Sequence, residues 1–178
     1  MEVLAGSLAA AAPLVYAAIG ETITEKSGVV NLSLDGSILL SAMVGFVAAY
    51  ATDSVIVGFA AAMIVSAAVA TLVAFSSINL RLNQIAVGFV LFLLTRQLAL
   101  FLGNSYVGVG GPKVPALEIP VLSEIPIAGP LLFSHNLSVY GSFIVVIRAW
   151  WGIYRTRPGW VLQGVGARPE AAGARGGR

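Results

Sequence analysis

Five long stretches of the chain are almost free of charge, and the charged residues gather in the segments between them. Residues 3–20 carry no charged side chain, residues 27–52 carry only Asp35, and residues 54–80 are uncharged throughout. Residues 82–103 hold one charge, Arg96, and residues 136–154 hold one, Arg148. A helix that crosses the hydrocarbon core of a bilayer needs about 20 apolar residues. The pattern predicts an all-α, polytopic bundle of about five transmembrane spans, near residues 3–20, 27–52, 54–77, 82–103 and 136–154. Between the last two spans, residues 104–135 contain Gly108, Gly110, Gly111, Pro112, Pro115, Pro120, Pro126 and Pro130. That density of breakers forbids a long regular helix and predicts a long, ordered external loop, in part re-entrant.

The second apolar run predicts a broken helix. Asn31, Ser33 and Asp35 all favour caps and turns, and Gly36 follows them. Beyond this point Ser37, Ser41, Gly45 and Ala49 recur every four residues, a small-residue stripe of the kind that lets two helix backbones approach closely in lipid. The expected geometry is an irregular entry over 27–34 and a helix from about 36 to 51. Breaks of this sort are tolerated at membrane depth only beside protein or water, and they line solute routes in many transporters.

Composition supports the membrane reading. Hydrophobic residues make up 58% of the chain and charged residues 10%, against about 25% charged in a soluble domain. The absence of cysteine excludes a disulfide framework and a thiolate metal site. The net charge of +2 does not point to nucleic acid, because six of the ten Lys and Arg residues fall in 148–178. With the tail after Tyr154 inside, span parity puts Lys26, Arg81, Arg148, Arg155, Arg157, Arg168, Arg175 and Arg178 inside and only Lys113 outside. This positive-inside bias sets the N-terminus outside. No Lys or Arg precedes Lys26, so the first run reads as a span and not as a cleaved signal.

Four collinear blocks carry a resemblance. Glu25-Lys26-Ser27-Gly28-Val29-Val30-Asn31-Leu32-Ser33-Leu34-Asp35-Gly36 resembles the N-terminal motif of bacterial nucleoside and simple-sugar ABC permeases, in the branched-chain amino acid/ribose permease superfamily. Asn83-Gln84-Ile85 with Gly88, the segment Pro120 to Phe133, and Tyr154-Arg155-Thr156-Arg157-Pro158-Gly159 through Glu170-Ala171-Ala172 are similar to further family motifs. Asp35 stands where the family has Glu, Ser33 where it has Gly, and Arg148 where an apolar residue is expected. The first block is closer to the nucleoside branch than to the ribose-type permeases.

The resemblance implies a membrane-spanning permease subunit of an ATP-driven importer for nucleosides or simple sugars, in a prokaryotic inner membrane. Residues 1–154 would be the transmembrane part. Residues 155–178 would be a cytoplasmic coupling segment, with Gly166, Glu170, Ala171, Ala172 and Gly176 forming the contact with the ATPase. Implied partners are ABC ATPase subunits, a second permease subunit, an external substrate-binding protein or lipoprotein, and the lipid bilayer, with no nucleic acid, cofactor or metal. The family continues for several more spans, so the chain reads as C-terminally truncated. The alternatives are a non-functional fragment from an interrupted gene, or a permease for another small polar solute such as a branched-chain amino acid. A membrane hydrolase would need a Ser–His pair, two Asp or a zinc triad, which one His, one deep Asp and no Cys do not supply.

Individual residues keep two readings each. Asp35, the only acid deep in an apolar run, lines the translocation pathway or caps a helix beginning at Gly36. Asn31 lines the pathway or serves hydrogen bonding within the break. The amides of Asn83 and Gln84 bind sugar hydroxyls or base edges, or bond between helices. Glu21, Glu25 and Lys26 form a charged turn that is solvated or touches the ATPase. His135 lacks ligands at metal spacing and reads as an interfacial residue. Gly108 to Gly111 lacks the Lys and Ser/Thr of a phosphate loop. No residue is assigned a catalytic role.

Overall fold

The computed structural model describes residues 2–118 and 134–167. Each apolar stretch is a helix: α1 Glu2–Lys26, α2 Leu34–Thr52, α3 Val55–Ile78, α4 Gln84–Gly103 and α5 Leu137–Arg155. All five are long and apolar enough to cross a membrane, with mean hydropathy between 1.3 and 2.4. The architecture is that of an all-α, multi-pass membrane protein, and the second apolar run is broken as expected, α2 starting only at Leu34.

One local expectation is corrected and two features are added. Glu21, Glu25 and Lys26 do not form a turn; they are the last turns of α1. Nothing in Glu21 to Lys26 breaks a helix, and the stop comes at Gly28. Its φ of 83° lets the Gly28 amide bond Glu25 O at 2.9 Å and the Val29 amide bond Thr24 O at 3.0 Å, a Schellman ending. The described part of the expected loop at 104–135 carries short elements. After a 3-10 turn at Asn104–Tyr106, β1 (Ala116–Glu118) pairs antiparallel with β2 (Ser134–Asn136). The Tyr140 hydroxyl, one turn into α5, joins the two strands: it donates to Leu117 O at 3.1 Å and accepts from the His135 amide at 3.2 Å. His135 is therefore buried in this ladder. Residues 119–133, which carry the resemblance from Pro120 to Phe133, lie outside the described residues. The second added feature is a helix, α6 Arg157–Ala167, which follows α5 after Thr156.

The chain divides into two compact units, Val30–Lys113 and the remainder. In the first, α2 and α3 run antiparallel along the predicted small-residue stripe. A methyl built on Gly58 would stand 2.7 Å from Ala49 Cβ and from Gly45 O, so only glycine permits this crossing. Ser37, Ser41, Gly45 and Ala49 are all buried. α4 runs parallel to α2, with Gly36 seated on Phe92 and Thr95 and Gly103 beside Met43. Phe46, Tyr50 and Tyr106 close the far end with ring centroids 6.2–6.4 Å apart. In the second unit, α1 and α5 run parallel: the Tyr16 hydroxyl donates to Ser138 O at 2.8 Å, and the Lys26 ammonium lies 5.9 Å from the Tyr154 ring centroid. These directions are the ones that span parity requires.

Candidate functional site

Two interruptions of regular helix carry the candidate residues. The first is the break between Gly28 and Leu34. Asn31 folds it: its Oδ1 accepts from the Ser33 amide at 3.1 Å and from the Ser33 hydroxyl at 2.6 Å, an Asx-turn that competes with helix. The turn buries Ser33 and places it at the start of α2, where its side chain caps nothing. α4 supports the break from one side. Gly88 lets the α4 backbone approach until a methyl there would stand 3.2 Å from the Leu32 nitrogen. Gln84 donates from Nε2 to Val30 O at 3.1 Å, satisfying a carbonyl that the break releases.

The predicted pathway residues thus separate. Gln84 bonds from α4 to the carbonyl of Val30 in the break. Asn83 bonds within its own helix instead: its Oδ1 accepts from the Ile85 amide at 3.0 Å and the Ala86 amide at 3.2 Å, the ordinary work of an N-cap. Asp35 is not a cap, because α2 begins before it and its carboxylate, in the first turn, has no hydrogen-bond partner among the described residues. It is exposed, and the positive end of the helix dipole favours its charge there. Asn31 uses its oxygen locally, and its amide nitrogen is free among the described residues.

The second interruption is the bend from α5 into α6. A helix end leaves four carbonyls without partners, and here side chains meet three of them. Thr156 Oγ1 donates to Gly152 O at 2.5 Å, Gln163 Nε2 to Ile153 O at 2.8 Å, and Trp160 Nε1 to Tyr154 O at 3.1 Å. Thr156 Oγ1 also accepts from the Gly159 amide at 3.2 Å. Pro158 sits in the first turn of α6, where a missing N–H costs nothing. Gly159 is buried, and a methyl on it would overlap the carbonyls of Gly152 and Ile153. Further along, Gly166 rests on the backbone of Lys26 and Gly28, its Cα 3.2 Å from a methyl built on Gly28. Of the expected coupling residues, Gly166 is placed by α6, while Glu170, Ala171, Ala172 and Gly176 lie outside the described residues.

Sequence reasoning missed Gly88, Thr156 and Gln163 as supports of these two interruptions. Gly88 and Thr156 lie inside motifs already singled out. Gln163 had one available signal, a lone amide among apolar and glycine residues. Among the described residues no three His, Cys, Asp or Glu side chains are grouped to hold a metal ion.

A family model described as branched-chain amino acid transport system / permease component matches residues 3–178. A protein of Haloferax volcanii that carries the name of a glucose ABC transporter permease is 32% identical over 173 residues, 95% of this chain and 53% of that protein. The nucleoside ABC transporter permease protein NupC of Lactococcus lactis is 28% identical over 181 residues, 96% of this chain and 57% of that protein. The guanosine ABC transporter permease protein NupQ of Bacillus subtilis is 28% identical over 185 residues, with the same two shares. The chain spans about half the length of these curated relatives. No solved structure matches it. Five apolar helices, a broken second span and a match along nearly the whole chain converge, and the chain belongs to the family of branched-chain amino acid transport system permease components.

Proposed function

We propose that this chain forms part of the solute pathway of an ATP-driven importer for nucleosides or simple sugars, and that residues 155–178 couple it to cytoplasmic ATPase subunits. The break between Gly28 and Leu34 carries the reading. It presents polar groups that the fold has not consumed: the Asp35 carboxylate, the Asn31 amide nitrogen and the uncapped start of α2. Half-helix ends with their positive dipole aimed into a cavity bind polar solutes in membrane transporters. Nucleosides and sugars both offer hydroxyl groups to a carboxylate and an amide, and the names of the relatives include glucose, nucleoside and guanosine permeases. The working assembly would comprise two permease subunits, two ATPases and an external binding protein or lipoprotein. Asp35→Asn keeps the shape and removes the charge. In the assembled transporter it lowers uptake about tenfold, the loss expected when a charge-assisted contact weakens by about 1.4 kcal/mol, with the amount of inserted protein unchanged. Equal uptake at equal protein level would remove Asp35 from the pathway.

A further inference from the structure

α6 is 11 residues long, about 16 Å at about 1.5 Å per residue. It is fastened to α5 by Trp160 on Tyr154 O and, at mid-helix, Gln163 on Ile153 O, while Thr156 just before it bonds Gly152 O. Near its C-terminus Gly166 lies against the backbone of Lys26 and Gly28, at the Schellman ending of α1. α1 and α5 are parallel neighbours joined at this end by Lys26 over the Tyr154 ring, so a helix touching both ends lies across them. The Gly28–Gly166 contact is backbone on backbone. It has no side chain that can change rotamer, and close-packed contacts have low compressibility and transmit strain.

We propose that α6 is a rigid crosspiece, and that Gly28 and Gly166 are positioning residues that carry displacement of the segment after Ala167 into residue 28, where the chain enters the break. The proposal rests on the coupling reading of residues 155–178. Force applied beyond Ala167 meets no soft joint before Gly28, because the bend has its carbonyls bonded and Gly166 has no gap to close. The seat is defined by the absence of a side chain at both positions, and Gly28 must in addition hold a φ of 83°.

The chain contains no cysteine, which allows a direct test. In membranes containing this chain alone, Ser27→Cys with Ala167→Cys is expected to cross-link through a short bis-maleimide. Adding Gly166→Leu abolishes the cross-link, whereas Gly20→Leu, at a glycine with nothing within 4 Å of its added carbon, leaves it. In the permease assembled with its ATPase and binding protein, Gly166→Leu lowers solute moved per ATP, read per assembled complex, about tenfold, within the range that residues along a coupling route command. Locking the Ser27→Cys/Ala167→Cys variant with the cross-linker leaves uptake within about twofold, because a joint that never opens loses nothing by being tied. Inhibition by the lock, or full coupling in Gly166→Leu, would overturn the crosspiece. Glu170→Ala in the same assembly reads the coupling proposal separately: unchanged ATPase recruitment and coupling there would sink that reading, with the cross-link still reporting on α6.

Discussion

The break before α2 and the bend after α5 are both places where a membrane helix stops being regular, yet they handle freed backbone groups in opposite ways. At the bend, three carbonyls at the end of α5 receive a donor from Thr156, Gln163 or Trp160. At the break, one freed carbonyl, that of Val30, is met by Gln84, while α2 starts without a side-chain cap and Asp35 stays unbonded among the described residues. Leaving a polar group unsatisfied in lipid costs several kcal/mol, as an order of magnitude. A bend that satisfies its own carbonyls is a structural joint. A break that leaves polar groups over needs something polar to face it, water or solute, and that need supports the proposed pathway role over that of a hinge.

The comparison is broken most severely where the break is supported. Gly36→Val places a branched side chain against Phe92 O and Thr95 Oγ1, backbone and buried hydroxyl that cannot retreat. Overpacking of this kind costs about 3 kcal/mol. The expected outcome is a lower denaturation midpoint in detergent and loss of most folded protein on size-exclusion chromatography. A normal midpoint would mean that α4 is not seated on the start of α2.

Gln163→Leu tests the bend. It leaves Ile153 O without its donor and retains most of the side-chain volume, at an expected cost of about 1–2 kcal/mol. If the bend is a closed joint, amide hydrogen exchange quickens at residues 157–167 and solute binding is unaffected. Slow exchange in the variant would show that Gln163 is dispensable there. Asn83→Ala comes next in size. It removes two bonds at the N-cap of α4, about 1 kcal/mol, and should act on stability alone, read as a midpoint shift with substrate affinity held. A fall in affinity at unchanged stability would return Asn83 to the pathway.

How much of this was legible in the sequence follows from what each feature depends on. The five spans were, because charge is expensive in lipid and its absence over about 20 residues has few other causes. The broken second span was too, since Asn31, Ser33 and Asp35 stand together in an apolar run. Its helical limit was misjudged by two residues: Asn31 folds the turn through Ser33, so α2 could begin at Leu34 and take Asp35 into its first turn. The roles of Asn83 and Gln84 were not legible, because an amide's partner depends on what lies beside it, and Val30 is brought there by tertiary packing. The α6 helix was not foreseen in the segment that holds Pro158 and the glycines at 159, 164 and 166. Pro158 occupies a first turn, and Gly159 and Gly166 are contact points with other backbone. The β1–β2 ladder was masked by its flanking prolines.

The smallest expected effect concerns the interface that needs no polar feature at all. α2 and α3 meet at Gly45 and Gly58 with backbone almost touching side chain, yet Ser41 and Ser66 also share a hydrogen bond of 2.7 Å across the same interface. Ser41 Oγ has a single proton and lies 2.6 Å from Ser37 O, so that proton satisfies the carbonyl and Ser66 is the donor across the interface. Across the interface Ser41→Ala therefore removes an acceptor for a hydroxyl that can turn elsewhere, together with Ser41's bond to Ser37 O within α2. Hydrogen bonds between membrane helices average about 0.6 kcal/mol, because the separated helices also find partners. A double-mutant cycle with Ser41→Ala and Ser66→Ala, read by detergent denaturation, should give a coupling energy near that value of about 0.6 kcal/mol. A coupling several times larger would mean that the serines hold α2 on α3 and the glycine crossing merely permits it. The contrast between a helix pair held by shape and a break defined by polar chemistry would then need redrawing.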